Sequence, residues 1–286
     1  MISIKPLRWQ SWHCNYLMSM RYRFLIGVFI FISLSATSQE LFVFTEPASN
    51  MAAKSIGLRL NNLLMGERSS SKINYHVVPE IMLGISKTIM AHADIFLSNR
   101  NKNFVAEGGS VYFKYRIFSI DDVQKHFRVA AFARGSINNS DIHQEELNIY
   151  GHNSGWETGI IATQLIHKIA LSSGISFTKA LDNGNNKFPT SADKAVNYTI
   201  SVGKLVLPKE YKDYNQTNMN LMLEFVSQLN ITSGKYYLDL APSVQLIINS
   251  QSRIDIGYKK QLSHSLLRTA PNGFLIRLEH NLFNAW

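Results

Sequence analysis

His152 and Ser154 are the two residues whose types and spacing most directly suggest catalysis. Two residues apart on a strand, their side chains would share a face with Trp156, opposite to Glu157. If Glu157 faces a lumen, Ser154, Trp156 and by extension His152 face lipid. A histidine beside a serine can accept the hydroxyl proton and activate the oxygen against an acyl ester. A triad also needs an orienting amide or carboxylate. The next strand offers only apolar and hydroxyl side chains on that face: Ile169, Leu171, Ser173 and Ile175. We therefore favour a turn-to-strand junction here and keep a lipid-ester hydrolase as an alternative.

Two polar loops contain residues that could bind metal ions. Segment 138–153 holds two His, one Asp and two Glu, but none of their spacings is a known ligand signature. Segment 182–193 begins and ends with Asp, as a calcium loop would. Gly184 and Lys187 stand where that loop needs a ligand and its turn glycine. We predict no metal site and no cofactor.

A larger set of charged residues recurs at alternate positions of strand-like segments. The set comprises Arg59, Glu80, Asp94, Lys114, Arg116, Arg128, Arg134, Glu157, Glu224, Asp239, Arg253, Asp255, Lys259, Arg277 and Glu279. Facing a lumen, they would act as selectivity elements, with acids on the second and third strands and bases on the fourth and fifth. The alternative is that they pair and fill a structural interior.

The elements that carry these charges are segments in which apolar and polar residues alternate. About twelve segments of roughly 8–14 residues show this pattern, bounded by turn-forming residues. They are 54–62, 75–86, 90–98, 109–118, 126–137, 154–165, 168–181, 194–206, 217–228, 235–248, 253–262 and 273–286. Their length suits tilted strands that cross a bilayer. We predict an all-β fold.

The connections separate a membrane barrel from a soluble sandwich, which would alternate in the same way. Short connections such as 166–167 and 249–252 alternate with long ones such as 138–153 and 182–193. This rhythm is typical of an outer-membrane barrel with short periplasmic turns and longer outer loops. Connections 207–216 and 229–234 break it. The prediction is a single antiparallel transmembrane β-barrel of about 12 strands.

The N-terminal region has the order of a secretory signal peptide. Arg21 and Arg23 precede an apolar run from Phe24 to Leu34, and small residues follow. The run is too short for a transmembrane helix. We predict a signal peptide over 1–38, with 1–19 as a possible upstream extension. A periplasmic lead over 39–53 and a barrel over 54–286 would follow.

Charge and cysteine content exclude several functions. The net charge is +9, but Lys5, Arg8, Arg21 and Arg23 lie in the first 38 residues, which contain no acidic residue. The other basic residues are spread singly, so no nucleic-acid surface is predicted. Cys14 is the only cysteine and precedes the predicted cleavage point, so disulfides and thiolate chemistry are not expected in the mature chain.

The last segment alternates from Phe274 and closes on an aromatic residue, Trp286. With the lead 40–51 and the ending Phe283-Asn-Ala-Trp286, the chain resembles an outer-membrane β-barrel protein of the Bacteroidota type. That resemblance implies residence in the outer membrane of a Gram-negative bacterium, in contact with its lipid. It also implies assembly through the barrel-assembly machinery, by a C-terminal strand ending at Trp286. The His-x-Ser pair resembles the arrangement in outer-membrane phospholipase A and lipid A deacylases.

Such proteins are commonly transporter-like without an assigned substrate, and no catalytic residues follow from the resemblance. The function predicted from the residues is a narrow pore, or a transport-related barrel, for small polar or ionic solutes. A structural or interaction barrel with a filled lumen and the His152/Ser154 hydrolase are the alternatives.

Overall fold

A computed structural model describes residues 42–67, 73–99, 104–122, 125–208 and 215–286. Twelve antiparallel strands form one closed barrel, in which each strand pairs with its sequence neighbours and β1 pairs with β12. The prediction of a twelve-strand barrel is confirmed. The strands are β1 (Ser55–Gly66), β2 (Ile73–Gly84), β3 (Ile89–Ser98), β4 (Val105–Asp122), β5 (Lys125–Asn138), β6 (Gly155–Ile166), β7 (Ile169–Ala180), β8 (Lys194–Leu207), β9 (Asn218–Asn230), β10 (Tyr236–Ile248), β11 (Ser252–His264) and β12 (Asn272–Leu282).

Within the described ranges, no helix has the length and apolar character needed to cross a membrane. The predicted signal peptide, residues 1–38, lies outside those ranges.

The outer wall of the barrel is apolar. On β12, Phe274, Ile276 and Leu278 are exposed, whereas Arg277 and Glu279 between them are buried. Closure pairs the backbone groups of β1 with those of β12, which removes the free edges that an open sheet would expose to lipid. An apolar outer wall around a polar interior is the arrangement of a membrane barrel, and its location is the outer membrane.

The strand connections differ at the two ends of the barrel. At one end, here called the turn end, the connections include the short segments 85–88, 167–168 and 249–251, and the longer 208–217 lies at the same end. His167, Asn249 and Ser250 have positive φ, as tight hairpin turns require. At the other end, the loop end, the connections include 139–154 and 181–193.

The C-terminal residues leave the barrel wall. Strand β12 ends at Leu282, so the prediction of a strand running to Trp286 is wrong. Asn284 has a φ of 53°, which turns the chain out of the strand conformation. The Ala285 amide then donates to the Lys54 carbonyl at 2.8 Å, and the Trp286 side chain is exposed.

Most of the described part of the predicted periplasmic lead lies inside the barrel, namely residues 42–51 of the described 42–53. Phe42 and Val43 are each 1% exposed and pack with Ala170, Met222 and Leu275 from three strands of the wall. Residues 42–51, here called the plug, therefore occupy part of the lumen. The alternation within the strands does not predict this.

Candidate functional site in the barrel lumen

Glu224, on the inner face of β9, binds the backbone of the plug with its side-chain carboxylate. Its carboxylate accepts hydrogen bonds from the amides of Val43, Phe44 and Thr45 at 2.8–3.2 Å, and from the Thr45 hydroxyl at 2.8 Å. Three successive N–H groups that converge on one anion form a backbone nest. The Glu224 side chain is fully buried, so these bonds replace its hydration.

Further polar contacts fasten the rest of the plug. Lys114 Nζ donates to the Pro47 carbonyl at 2.9 Å, and the Ala48 amide donates to Thr163 Oγ1 at 2.9 Å. Arg128 Nη1 donates to Ser49 Oγ at 3.0 Å. These contacts come from β4, β5 and β6, so the plug is bonded to several sides of the wall.

Glu46 adds ion pairs to this fastening. Its carboxylate lies 3.6 Å from Arg59 Nη1 and 3.6 Å from Lys114 Nζ. Two of the predicted lumen cations therefore compensate a charge carried by the plug.

The long connection 139–154, here called the inner loop, enters the lumen from the loop end. The Gln228 side-chain amide accepts from Leu147 N at 2.9 Å and donates to Leu147 O at 2.8 Å. The Tyr150 hydroxyl accepts from Asn61 Nδ2 at 2.6 Å and donates to Glu80 at 3.3 Å. The inner loop is thus bonded to β1, β2 and β9.

Arg268, between β11 and β12, joins the inner loop to the wall. Its guanidinium bonds to Glu146 at 2.7 and 3.1 Å and to Asp239 at 2.7 and 2.9 Å. It also lies 3.9 Å from the ring centre of Tyr237. Burial raises the pKa of Glu146, but Arg268 and Lys259 outweigh that effect and hold it below its ordinary value. The glutamate is therefore ionised while the inner loop is docked.

The predicted lumen charges on β1, β2, β11 and β12 contact one another. Arg59 lies 3.3 Å from Glu80 and 2.8 Å from Glu279. Arg253 lies 2.6 Å from Glu279 and 3.3 Å from Asp255. Asp255 in turn lies 3.6 Å from Arg277. Much of the charge on this side of the wall is compensated locally, which fits the pairing alternative.

The remaining predicted lumen residues lie at other positions of the inner wall. Arg134 pairs with Asp94 at 3.4 Å, and its guanidinium lies over the rings of Tyr112 and Tyr150. Glu157 accepts from side chains of β7 and β8. Arg116 is only half-buried, because a register shift between Arg116 and Phe118 interrupts the alternation of β4.

A chamber of about 300 Å³ lies in the lumen between the plug and the inner loop. Thr45 and Glu46 of the plug line it, together with Glu146 and Tyr150 of the inner loop. The wall contributes charged, amide, hydroxyl and aromatic side chains from most of the strands. The lumen is therefore divided into a small polar compartment with an obstruction on either side.

The His152/Ser154 pair does not face lipid. Ser154 is buried, and its Oγ accepts from Asn138 N at 2.9 Å and donates to Asn138 O at 3.0 Å. The His152 ring lies against His76, with the ring centres 4.8 Å apart. Trp156 is exposed as expected, but Gly155 has a φ of 146°, which breaks the alternation between it and Ser154. The predicted orientation of Ser154 is wrong.

The alternation of apolar and polar residues along the strands does not predict the contacts that close the lumen. Arg268 and Glu46 lie outside the strands, and the partner of Glu224 is a backbone rather than a side chain. In the described part of the chain, no group of three or more His, Cys, Asp or Glu residues is arranged to hold a metal ion. The one available signal is composition: the segment 42–48 is too apolar for a solvated linker.

Comparison with solved structures shows the same fold. An outer membrane channel from Pseudomonas putida F1 superposes with a TM-score of 0.54 at 11% identity, over 84% of this chain and 100% of that chain. The NanC porin gives a TM-score of 0.46 at 12% identity, over 80% of this chain and 98% of that chain. No protein-family model matches the chain, and no curated protein is significantly similar. The fold defines the chain as an outer-membrane β-barrel.

Proposed function

We propose that the protein is a gated pore for small polar or ionic solutes, closed in this conformation by the plug. The observation that carries the proposal is the grip of Glu224 on three successive amides of residues 43–45. The plug touches the wall only through non-covalent contacts, which are these hydrogen bonds, the Glu46 ion pairs and the packing of Phe42 and Val43. It can therefore leave the lumen and return without breaking a covalent bond.

The strength of the attachment fits a gate that opens rarely and reversibly. Hydrogen bonds to a charged group contribute about 1.5–3 kcal/mol each. Water can replace the Glu224, Lys114 and Thr163 bonds when the plug leaves. The ion pairs of Arg59 with Glu80 and Glu279 do not involve the plug, so the wall keeps its charge pattern in an open state.

Planar-bilayer recordings test the gate. Wild-type protein should conduct in rare, brief openings. Glu224→Gln replaces one acceptor oxygen by an NH₂ group that opposes the amides, and should raise the open probability about tenfold or more. Deletion of 42–51 should give steady conductance. Glu107→Gln is the matched control, because that buried carboxylate bonds to Ser98 on the neighbouring strand. Its openings should match those of the wild type.

A structural barrel with a filled lumen is the second candidate, favoured by the continuous ion-pair network on β1, β2, β11 and β12. It makes a different forecast in the same recordings. Neither Glu224→Gln nor the deletion would then conduct, and the gated-pore proposal would fall. The Bacteroidota type stays a prediction of the sequence.

A further inference from the structure

Glu157 carries a negative charge into the chamber, and no cation in the described ranges contacts its carboxylate. Its Oε1 accepts from Ser176 Oγ at 2.5 Å and from Asn197 Nδ2 at 3.1 Å. Arg134, its direct partner across β5 and β6, is turned toward Asp94, Tyr112 and Tyr150. Among the described residues, Glu157 forms no ion pair. Its hydrogen bonds hold the carboxylate in place while its charge stays available to the chamber.

Lys259 is the complementary group on β11. Its Nζ lies 3.9 Å from Asp239, at the limit of an ion pair. That aspartate already accepts two bonds from Arg268 at 2.7 and 2.9 Å. The Lys259 ammonium therefore retains most of its capacity to donate to a ligand.

The other charged residues around the chamber are compensated more closely. Glu46 and Glu80 pair with Arg59, and Glu146 pairs with Arg268. The Arg277 guanidinium bonds to Asn61 at 2.6 Å and lies near Asp255. Glu157 and Lys259 thus remain as the two charges with the weakest close contacts, since Arg134 acts on Glu157 and Lys259 acts on Glu146 only over longer distances.

These two groups lie on well-separated parts of the wall. Strands β6 and β11 are separated by β7, β8, β9 and β10 on the shorter way around the barrel. Both side chains line the same chamber. A ligand between them would meet a negative group at one end and a positive group at the other.

We infer that the chamber is a binding site for a small zwitterion. The ligand ammonium would bind at Glu157 and its carboxylate at Lys259. A volume of about 300 Å³ is small for a ligand pocket and suits a solute of amino-acid or dipeptide size. Tyr112, Phe132 and Tyr237 provide apolar surface for the body of the ligand between its charged ends. This inference rests on the proposed function, since it names the solute class of the same lumen.

Calorimetric titration of the full-length protein in detergent micelles tests the site. The probes are L-alanyl-L-alanine, its N-acetyl derivative, its C-terminal amide and sucrose. Each cap removes one charge, so each should weaken binding about tenfold or more relative to the free dipeptide. Sucrose should bind no better than the capped compounds. Equal binding of free and capped dipeptides, tighter binding of sucrose, or binding of none of the four would overturn the inference.

Two variants that each replace one charged side chain by a neutral amide test which end of the ligand binds at Glu157 and which at Lys259. Glu157→Gln should abolish the penalty for N-acetylation and keep the penalty for amidation, and Lys259→Gln should do the reverse. Asp141→Asn and Lys260→Gln, which remove exposed charges outside the chamber, should keep both penalties. Variants at 157 and 259 that keep both penalties would also overturn the inference. The titration measures binding without any current, so the two proposals can fail separately. Binding without conductance would contradict only the gated pore, and conductance without dipeptide binding would contradict only the zwitterion site.

Discussion

Gly155 decides where Ser154 points, and so what Ser154 can do. Alternation from Trp156 would place Ser154 on the lipid face, but the positive φ of Gly155 turns it inward to bond with Asn138. A serine with its hydroxyl bonded to a backbone amide and carbonyl fastens the inner loop to β5. The φ angle of Gly155 thus makes Ser154 a structural contact of the inner loop rather than a candidate nucleophile facing lipid.

We expect Gly155→Ala to destabilise the barrel by about 1–3 kcal/mol, because an L-residue is strained at this φ. An added Cβ would also lie 2.2 Å from the Lys179 carbonyl oxygen, which belongs to the wall and cannot move aside. Equilibrium unfolding in urea measures the change. Gly135→Ala is the control, since nothing lies within 4 Å of its added Cβ. An equal loss in both variants would show that the φ of Gly155 is not limiting.

The strands and the lumen elements differ in how far sequence predicts them. Alternation marked β12 and the inward positions of Arg277 and Glu279, because a strand repeats its environment every two residues. The plug has no such period. Its partners are distant in the chain, as Val43 and Glu224 are, and only the closed barrel brings them together. The inner loop has no such period either, so the sequence predicts only a long polar connection there.

The inner loop should be released by acid. Charged and titratable groups facing Glu146 are Arg268, Lys259, Tyr237 and Asp239. Because docking lowers the pKa of Glu146 below its ordinary value of 4.5, its contribution is fully present above pH 4.5. It is lost as the pH falls through the lowered pKa. Glu145 acts in the same direction, since hydrogen bonds from Lys235 and the Leu267 amide lower its pKa.

A spin label at His143→Cys, in a Cys14→Ser background, reports this release. The label should be ordered at pH 7 and should become progressively more mobile as the pH falls below 4.5 towards the lowered pKa of Glu146. Glu146→Gln should mobilise it already at pH 7, because the amide cannot form the same charged pair with Arg268. Glu145→Gln, which alters a more exposed carboxylate, should have the smaller effect at pH 7. A label that is as ordered in Glu146→Gln as in the wild type at pH 7 would contradict this account of the docking.

At the scale of the whole molecule, closure and the apolar outer wall are what sequence predicts best. Each strand contributes the same alternation, so twelve weak signals support one architecture. Whether the lumen is open or occupied does not follow from this alternation. The same wall could surround an open channel or an occupied one, and the choice depends on contacts such as Arg268 with Glu146 and Asp239. Those contacts join segments outside the strands to the wall.

Membrane embedding makes a depth-dependent prediction for the outer wall. Leu278 lies in the middle of β12, opposite Leu60 and Ile254, and is 45% exposed; Leu282 is 44% exposed on the same face at the strand end. Leu278→Lys should destabilise the barrel by about 2–4 kcal/mol, and Leu282→Lys by about 0–1 kcal/mol, because a lysine is costly at the bilayer midplane and tolerated at the interface. Unfolding in denaturant from lipid vesicles measures both. Equal costs would mean that Leu278 lies outside the hydrocarbon core.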